Sequence, residues 1–337
     1  MRRQFPLYYH LSEKEKKALF TSKDCYFVFD TNALLDIYRL GKETAEKVLQ
    51  IFDKFKNRII IPKHVACEYH NNMLDIITEI HAKYDTFLRN NNTEGVLKNV
   101  ISSMKIDNIP AIKRKATKYL KPALDELFNE VVSERSYLMD QFQTWDLQNK
   151  LSDALGSLVL KGFSKDQVDE IEKEGKGRYE KEVPPGYLDS KRKDTNIFGD
   201  LIIWKEILDF AKEKHCSVIF IGRDMKDDWL QILHGLTCGP RQELINEFNT
   251  YSPTGKFHIY TLDQFLLFAN EVDKVLDDSE LIEVKELIQD ETSEKIDEAK
   301  SKSSLPQKMS MPDDDKSEAK HVSSQIITDE VTPKSKI

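Results

Sequence analysis

Tyr26-Phe27-Val28-Phe29 runs without a break into Asp30, and a helical pattern begins at once with Leu34, Leu35, Tyr38 and Leu40. A continuous apolar run of this length suits a strand buried on both faces, as in a parallel sheet. In open α/β sheets the working site lies outside the carboxyl ends of the strands. Asp30 therefore falls at the rim of a sheet, where a carboxylate can face both solvent and a cation. Thr31 and Asn32 are placed to cap the following helix. Taken alone, Asp30 reads more readily as a plain strand-end or capping residue.

The pattern recurs along the chain. Arg58-Ile59-Ile60-Ile61-Pro62 is a second short apolar strand closed by a proline, and Glu68 follows on the first turns of the helix beginning near His64. Ser217–Gly222 is a third strand, ending in Arg223-Asp224. Asp200 opens a helix whose residues Leu201, Ile202, Ile203, Trp204, Ile207, Leu208 and Ala211 form the wide apolar face of a helix packed on a sheet. In a parallel sheet these ends converge on one edge. Clustered carboxylates there resist ionising beside one another. A hard divalent cation removes the conflict, since Mg²⁺ takes a few carboxylates and completes its shell with water and phosphate oxygens. Two such ions can activate a water and stabilise the leaving oxygen of a phosphodiester.

The rest of the chain frames this edge. Residues 1–24 read as a leader holding a small helix, with Ser12 and Glu15 at capping-box spacing. Helices are expected from about 32 and over 42–56, with Gly41 between them. From about 71 to 180 the pattern is helical and polar, in segments 73–89, 94–104, 111–118 and 121–150 punctuated by Pro110 and Pro122. It reads as a helical insertion carrying one basic cluster, Lys113-Arg114-Lys115 with Lys118, either a solvated face or a phosphate contact. Residues 175–199 read as a loop rich in Gly and Pro, with Lys191, Arg192 and Lys193 adding local positive charge. A helix containing Asp227, Asp228, Trp229 and Leu230 is expected after the third strand, then a last strand over 257–260 and a helix through 265–268. Residues 271–299 read as an acidic helical extension and 300–337 as a disordered tail.

Charge is uneven. The 67 residues from Glu271 hold 18 acidic and 10 basic side chains, so residues 1–270 carry 40 of each and the whole net charge of −8 sits in the C-terminal stretch. The body offers no global basic field, and nucleic-acid binding would rest on local patches. Four cysteines without a CxxC pair read as reduced core thiols, not a disulfide frame or a zinc site. No window approaches the ~18 apolar residues of a membrane helix, so a soluble cytoplasmic protein is expected. Neither a phosphate-binding glycine loop nor a Ser-His-Asp or Cys-His order is present. Trp204 and Trp229 read as core. His64 and His70 read as solvent-facing or capping groups, Tyr187 as a base-stacking or turn-packing ring, and Asp189 and Asp194 as surface loop residues.

FDTNALLDIYRL, IIIPKHVACEYHNN, VPPGYLDSKRK, GDLIIWKEILDFAK, VIFIGRDMKDDW and PRQELINEF occur in this order within about 25–270. In these motifs the chain resembles the PIN-like domain family, and more narrowly its long branch with a helical insertion between the second and third acidic motifs. The resemblance implies an α/β, three-layer fold: a central parallel sheet flanked by helices, with an acidic pocket. It also implies metal-dependent phosphodiester hydrolysis, most often of RNA, with Mg²⁺ or Mn²⁺. Carried over residue by residue, the catalytic and metal-holding acids are Asp30, Glu68, Asp200 and Asp224, with Asp227 or Asp228 as a further carboxylate. Asn32 is the usual polar neighbour of the first acid. Arg223, Lys226, Lys191, Arg192 and Lys193 are the groups expected toward the substrate backbone. Two departures stand out. PIN proteins commonly carry Thr or Ser where this chain has Gly222, and this branch often has an acid where this chain has Arg223. That arginine either contacts phosphate or neutralises the pocket. The expected activity is thus a metal-dependent endoribonuclease. The alternative is a catalytically weak RNA- or protein-binding module in a regulatory, toxin-like or defence system, with the insertion or the acidic tail engaging a regulatory protein.

Overall fold

The computed structural model describes residues 11–155, 159–191, 196–223, 227–234 and 236–288. Asp224, Lys226, Arg192, Lys193, Asp194 and the expected tail 300–337 lie outside the described residues. A capping box starts α1 (Glu13–Thr21): Ser12 Oγ accepts the Glu15 N–H and the Glu15 carboxylate accepts the Ser12 N–H. β1 (Cys25–Phe29) leads into α2 (Thr31–Leu35), a 3-10 turn over Asp36–Arg39, and α3 (Lys42–Phe55) with Gly41 at its N-cap. β2 (Ile59–Ile60) passes through Pro62 into α4 (Lys63–Asn90). Then come α5 (Thr93–Ser103), α6 (Pro110–Thr144), α7 (Asp146–Leu155) and α8 (Lys165–Glu180). α9 (Gly199–Lys214), β3 (Ser217–Gly222), β4 (Leu230–Leu233), β5 (Leu236–Pro240) and α10 (Gln242–Tyr251) come next. β6 (Phe257–Thr261), α11 (Leu262–Val272) and a helix α12 over 278–288 complete the described chain. Among the described residues no helix is long and apolar enough to cross a membrane.

The central sheet has the order β2-β1-β3-β6 and every pairing in it is parallel. Phe27 lies opposite Ile59 on one side and Ile219 on the other, so β1 is hydrogen-bonded along both edges. Its alternation sorts the two faces. Phe27 and Phe29 meet Phe20, Phe52, Phe55 and Phe265, an aromatic layer contributed by α1, α3 and α11. On the opposite face Tyr26 packs edge-on against Phe210, and Phe220 stacks on Trp229, which meets Trp204 of α9. Phe27, Phe29, Phe265 and Trp204 are 0% exposed. The result is the expected three-layer α/β arrangement, and both tryptophans are core.

Several local expectations change. Among the described residues the helix expected through Asp227, Asp228, Trp229 and Leu230 does not form: Leu230–Leu233 and Leu236–Pro240 pair antiparallel as a ribbon, with His234 at positive φ. Trp229 is what hydrophobic burial demands there, and the ribbon carries little of the core. Pro122 does not end a helix but lies inside α6. It and Lys118, whose carbonyl the proline cannot serve, are both exposed. Gly175 and Gly177 do not open a loop, since α8 runs through both. Cys67 is exposed on α4, whereas Cys25 and Cys216 are buried.

The two glycines of α8 give opposite expectations. A Cβ at Gly175 would lie 2.6 Å from the Phe198 ring, whereas at Gly177 nothing lies within 4 Å. Gly175→Ala should destabilise by about 1–3 kcal/mol through overpacking. Gly177→Ala should stabilise by about 0.5–1 kcal/mol, because a helix interior favours Ala. Urea midpoints of the two variants check both signs.

Candidate functional site

Asp30 stands where β1 ends. Its N–H donates to the Ile221 carbonyl at 2.8 Å, so the ladder to β3 continues into the acid itself. Asp30 holds the N-cap position of α2, yet its side chain makes no cap hydrogen bond. Thr31 was expected to cap; its hydroxyl instead donates to Glu68 Oε2 at 2.8 Å, across 37 residues of sequence. That bond draws the second turn of α4 onto the start of α2.

Glu68 is the centre of a small network. Asn196 Nδ2 donates to its other oxygen, and His64 Nε2 lies 3.6 Å away as an electrostatic neighbour. Burial pushes the Glu68 carboxyl up, but hydrogen bonding and charge from His64 with the bonds from Thr31 and Asn196 outweigh it, leaving the group below its ordinary value. Burial pulls the His64 imidazolium down, and the carboxylates of Glu68 and Glu206 more than reverse that. Glu68 is thus ionised at neutral pH, and neither lysine nor arginine pairs with it among the described residues.

α9 supplies the next acid. A Cβ at Gly199 would lie 3.0 Å from His64 Nε2, which puts the start of α9 directly against the Glu68 network. Asp200 follows in the first turn, where the helix dipole favours negative charge. Trp229 Nε1 donates to Asp200 Oδ2 at 3.3 Å. Gly186 approaches from the Pro184–Leu188 loop. A Cβ there would meet Tyr179 Oη at 2.4 Å and Asp200 Cβ at 3.1 Å, at a φ of +91° that also favours glycine. The carboxylates of Asp200, Asp228 and Asp189 all bear on Tyr179, whose hydroxyl pKa is raised first by burial and then by these charges.

The remaining sequence candidates divide. Asp228 is 0% exposed, and its Oδ2 accepts the backbone N–H groups of Gly186 and Leu188 at 2.9 and 3.2 Å. Asp227 is exposed beside it, and Asn32 is exposed on α2. Arg223 is 4% exposed, with its guanidinium 3.2 Å from Asp36, itself fully buried. Lys191 reaches Glu182 at 2.7 Å and is exposed. Asp189 is buried, at 3% exposure, against the expected surface position, and opens a short 3-10 turn. Tyr187 is 7% exposed, and its hydroxyl accepts from Arg241 at 3.4 Å, the turn-packing role. His70 meets Gln148 at 3.3 Å. Asp224, Lys226, Arg192 and Lys193 lie outside the described residues.

Two buried carboxylates escaped the sequence reading. Glu206 on α9 accepts the N–H groups of Lys63 and His64 at 2.5 and 3.3 Å, and so caps α4. Asp36 receives both Arg39 and Arg223. Each had a signal: an acid set inside an otherwise buried apolar stretch must find a partner. Asn196, in a loop, carried none. Among the described residues no group of three or more His, Cys, Asp or Glu side chains is placed to hold a metal ion. The donors present are carboxylate oxygens held by hydrogen bonds, the class that hard divalent cations take.

Glu206→Ala would leave two helix-terminal N–H groups without an acceptor. It should cost about 2 kcal/mol, read as a lower urea midpoint, and weaken the register of α4 against α9.

A family model described as a PIN like domain matches residues 26–244. No curated protein and no solved structure matches the chain. The matched span opens inside β1 and closes in α10, so it takes in three of the four sheet strands and all the candidate acids; this chain belongs to the PIN-like domain family.

Proposed function

We propose that this chain is a divalent-metal-dependent endonuclease acting on RNA, with Asp30, Glu68, Asp200 and Asp224 as its acidic set. PIN-like domains are typically nucleases, and a nuclease-type fold is the coarser statement that family membership supports. The observation that carries the finer reading is the state of Glu68. It is half-buried, held below its ordinary pKa, and partnered by Thr31, Asn196 and His64 instead of by a lysine or arginine. A carboxylate kept charged in this way, one residue from Asp30 through Thr31 and beside the start of α9, suits a cation that arrives from solvent.

A bound Mg²⁺ or Mn²⁺ would acidify a water and offset charge on the leaving oxygen. The chain's own work is positioning. Thr31 and Asn196 fix the two oxygens of Glu68, and Trp229 turns one oxygen of Asp200. Asp228 ties down the loop that passes Asp200, leaving Asp227 as the exposed carboxylate of the pair. In this reading Arg223 acts through Asp36, holding the end of β3 against the turn after α2. Asn32 and Lys191 are exposed and supply polar and cationic contacts to the backbone, together with Arg192, Lys193 and Lys226.

The test is cleavage of labelled single-stranded RNA, duplex RNA, single-stranded DNA and duplex DNA with Mg²⁺, Mn²⁺ or chelator, wild type beside Asp200→Asn. RNA should be cut only with metal. The amide variant should lose more than the roughly 10–100-fold that removal of an outer-sphere partner costs, with its thermal midpoint unchanged. Equal cutting by both proteins would overturn the assignment. RNA bound but uncut under every condition would select the binding module.

A further inference from the structure

The acidic edge makes no use of one strongly basic stretch of the described chain. Although the protein has a net charge of −8, residues 95–121 contain seven cations and a single acid, Asp107. They form most of α5, the turn after it and the first third of α6. Lys98, Lys105, Lys113, Arg114, Lys115 and Lys118 are all exposed and make no ion pair among the described residues.

The contrast lies within one helix. Lower down, cations of the same arm are spoken for: Lys121 meets Glu94 and Asp125 at 3.1 and 3.3 Å, and Arg135 meets Asp85 at 2.6 Å. An ordinary solvated helix face interleaves both signs in this way. The tip does not.

The tip also stands away from the sheet. α6 is seated on α4 through the Phe87–Phe128 rings and the Arg135–Asp85 pair, and on α3 where Glu134 accepts the Lys42 N–H. From Glu134 back to Lys115 the helix is unbroken, a reach of about 29 Å at ~1.5 Å per residue. On its outward side Ile112, Lys115 and Tyr119 recur at helical spacing, with Ile112 48% and Tyr119 69% exposed. Lys118 Nζ lies 5.9 Å from the Tyr119 ring centre. Close cations of one sign repel, and a polyanion relieves the repulsion with release of its counterions. An exposed ring among those cations adds a platform on which an unpaired base can stack. A duplex keeps its bases inside and cannot use the ring.

We propose that the tip of the α5–α6 arm is a docking site for single-stranded RNA, holding the backbone through these cations and a base against Tyr119. The choice of RNA rests on the nuclease reading of the acidic edge; the docking itself does not depend on cleavage.

The test uses the full chain and a fluorescein-labelled oligouridylate in chelator, with anisotropy followed across a salt series. Lys113→Glu/Arg114→Glu/Lys115→Glu should weaken binding about tenfold or more at low salt, and should lower the slope of log Kd against log salt by about 2. Tyr119→Ala should weaken it about fivefold or more. These side chains are exposed, so thermal midpoints should hold. A charge-matched control, Lys23→Glu/Lys212→Glu/Lys214→Glu, should bind as wild type. Undiminished binding by the arm variant, or an equal loss in the control, would overturn the proposal. So would a preference of the tip for phosphatidylserine vesicles or polyglutamate over RNA. Cleavage is scored separately with Mn²⁺: an arm variant that loses RNA while wild type binds but never cuts would leave this site standing and remove the nuclease reading alone.

Discussion

β1 is paired on both sides in parallel, and the rest of the site inherits from that one constraint. Parallel partners point the same way, so the segments leaving β1, β2 and β3 must start from a single edge. The pairing does not stop at the last apolar residue, because the Asp30 amide still donates to Ile221. An acid placed in the ladder itself has little freedom. Behind it lie rings that exclude water on both faces of the sheet, and such a backing strengthens electrostatic interactions at the rim.

The other acids ride on helices, which have more freedom than strands, and hydrogen bonds remove it. Glu68 is fixed by donors from α2 and from the loop before α9. Asp200 is held by the Trp229 indole and crowded by Gly186. Glu206 secures the start of α4 from within α9. These are neutral or backbone donors. They orient the carboxylates they reach, whereas Asp36 is met by the guanidinium groups of Arg39 and Arg223. Fully buried Asp36, met by arginine, thus differs from half-buried Glu68, which neutral donors hold and which stays below its ordinary pKa.

Strands announced themselves in the sequence because apolar runs ending in an acid are local signals. β1, β2, β3 and β6 were legible, as were the burial of Trp204 and Trp229 and the capping box at Ser12. What failed was anything decided by distant partners. Gly175 reads as a breaker until Phe198 is seen to lie where its side chain would be. Asp189 reads as surface, yet it is buried. The Leu230–Pro240 ribbon comes after a core tryptophan, and nothing in its few residues separates that from a helix start. Glu206 caps a helix 143 residues earlier in the chain. Only the oddity of a glutamate among Leu, Ile and Trp betrayed it.

The Glu206 cap reaches further than the helix it closes. Asp200 and Glu206 share one helix, and Glu206 grips the first turn of the helix that carries Glu68. α4 and α9 are therefore tied together at their starts, whereas Asp30 belongs to the sheet. The Thr31 hydroxyl in turn ties that pair of helices to the residue beside Asp30, so a single cap bears on the placement of three acids.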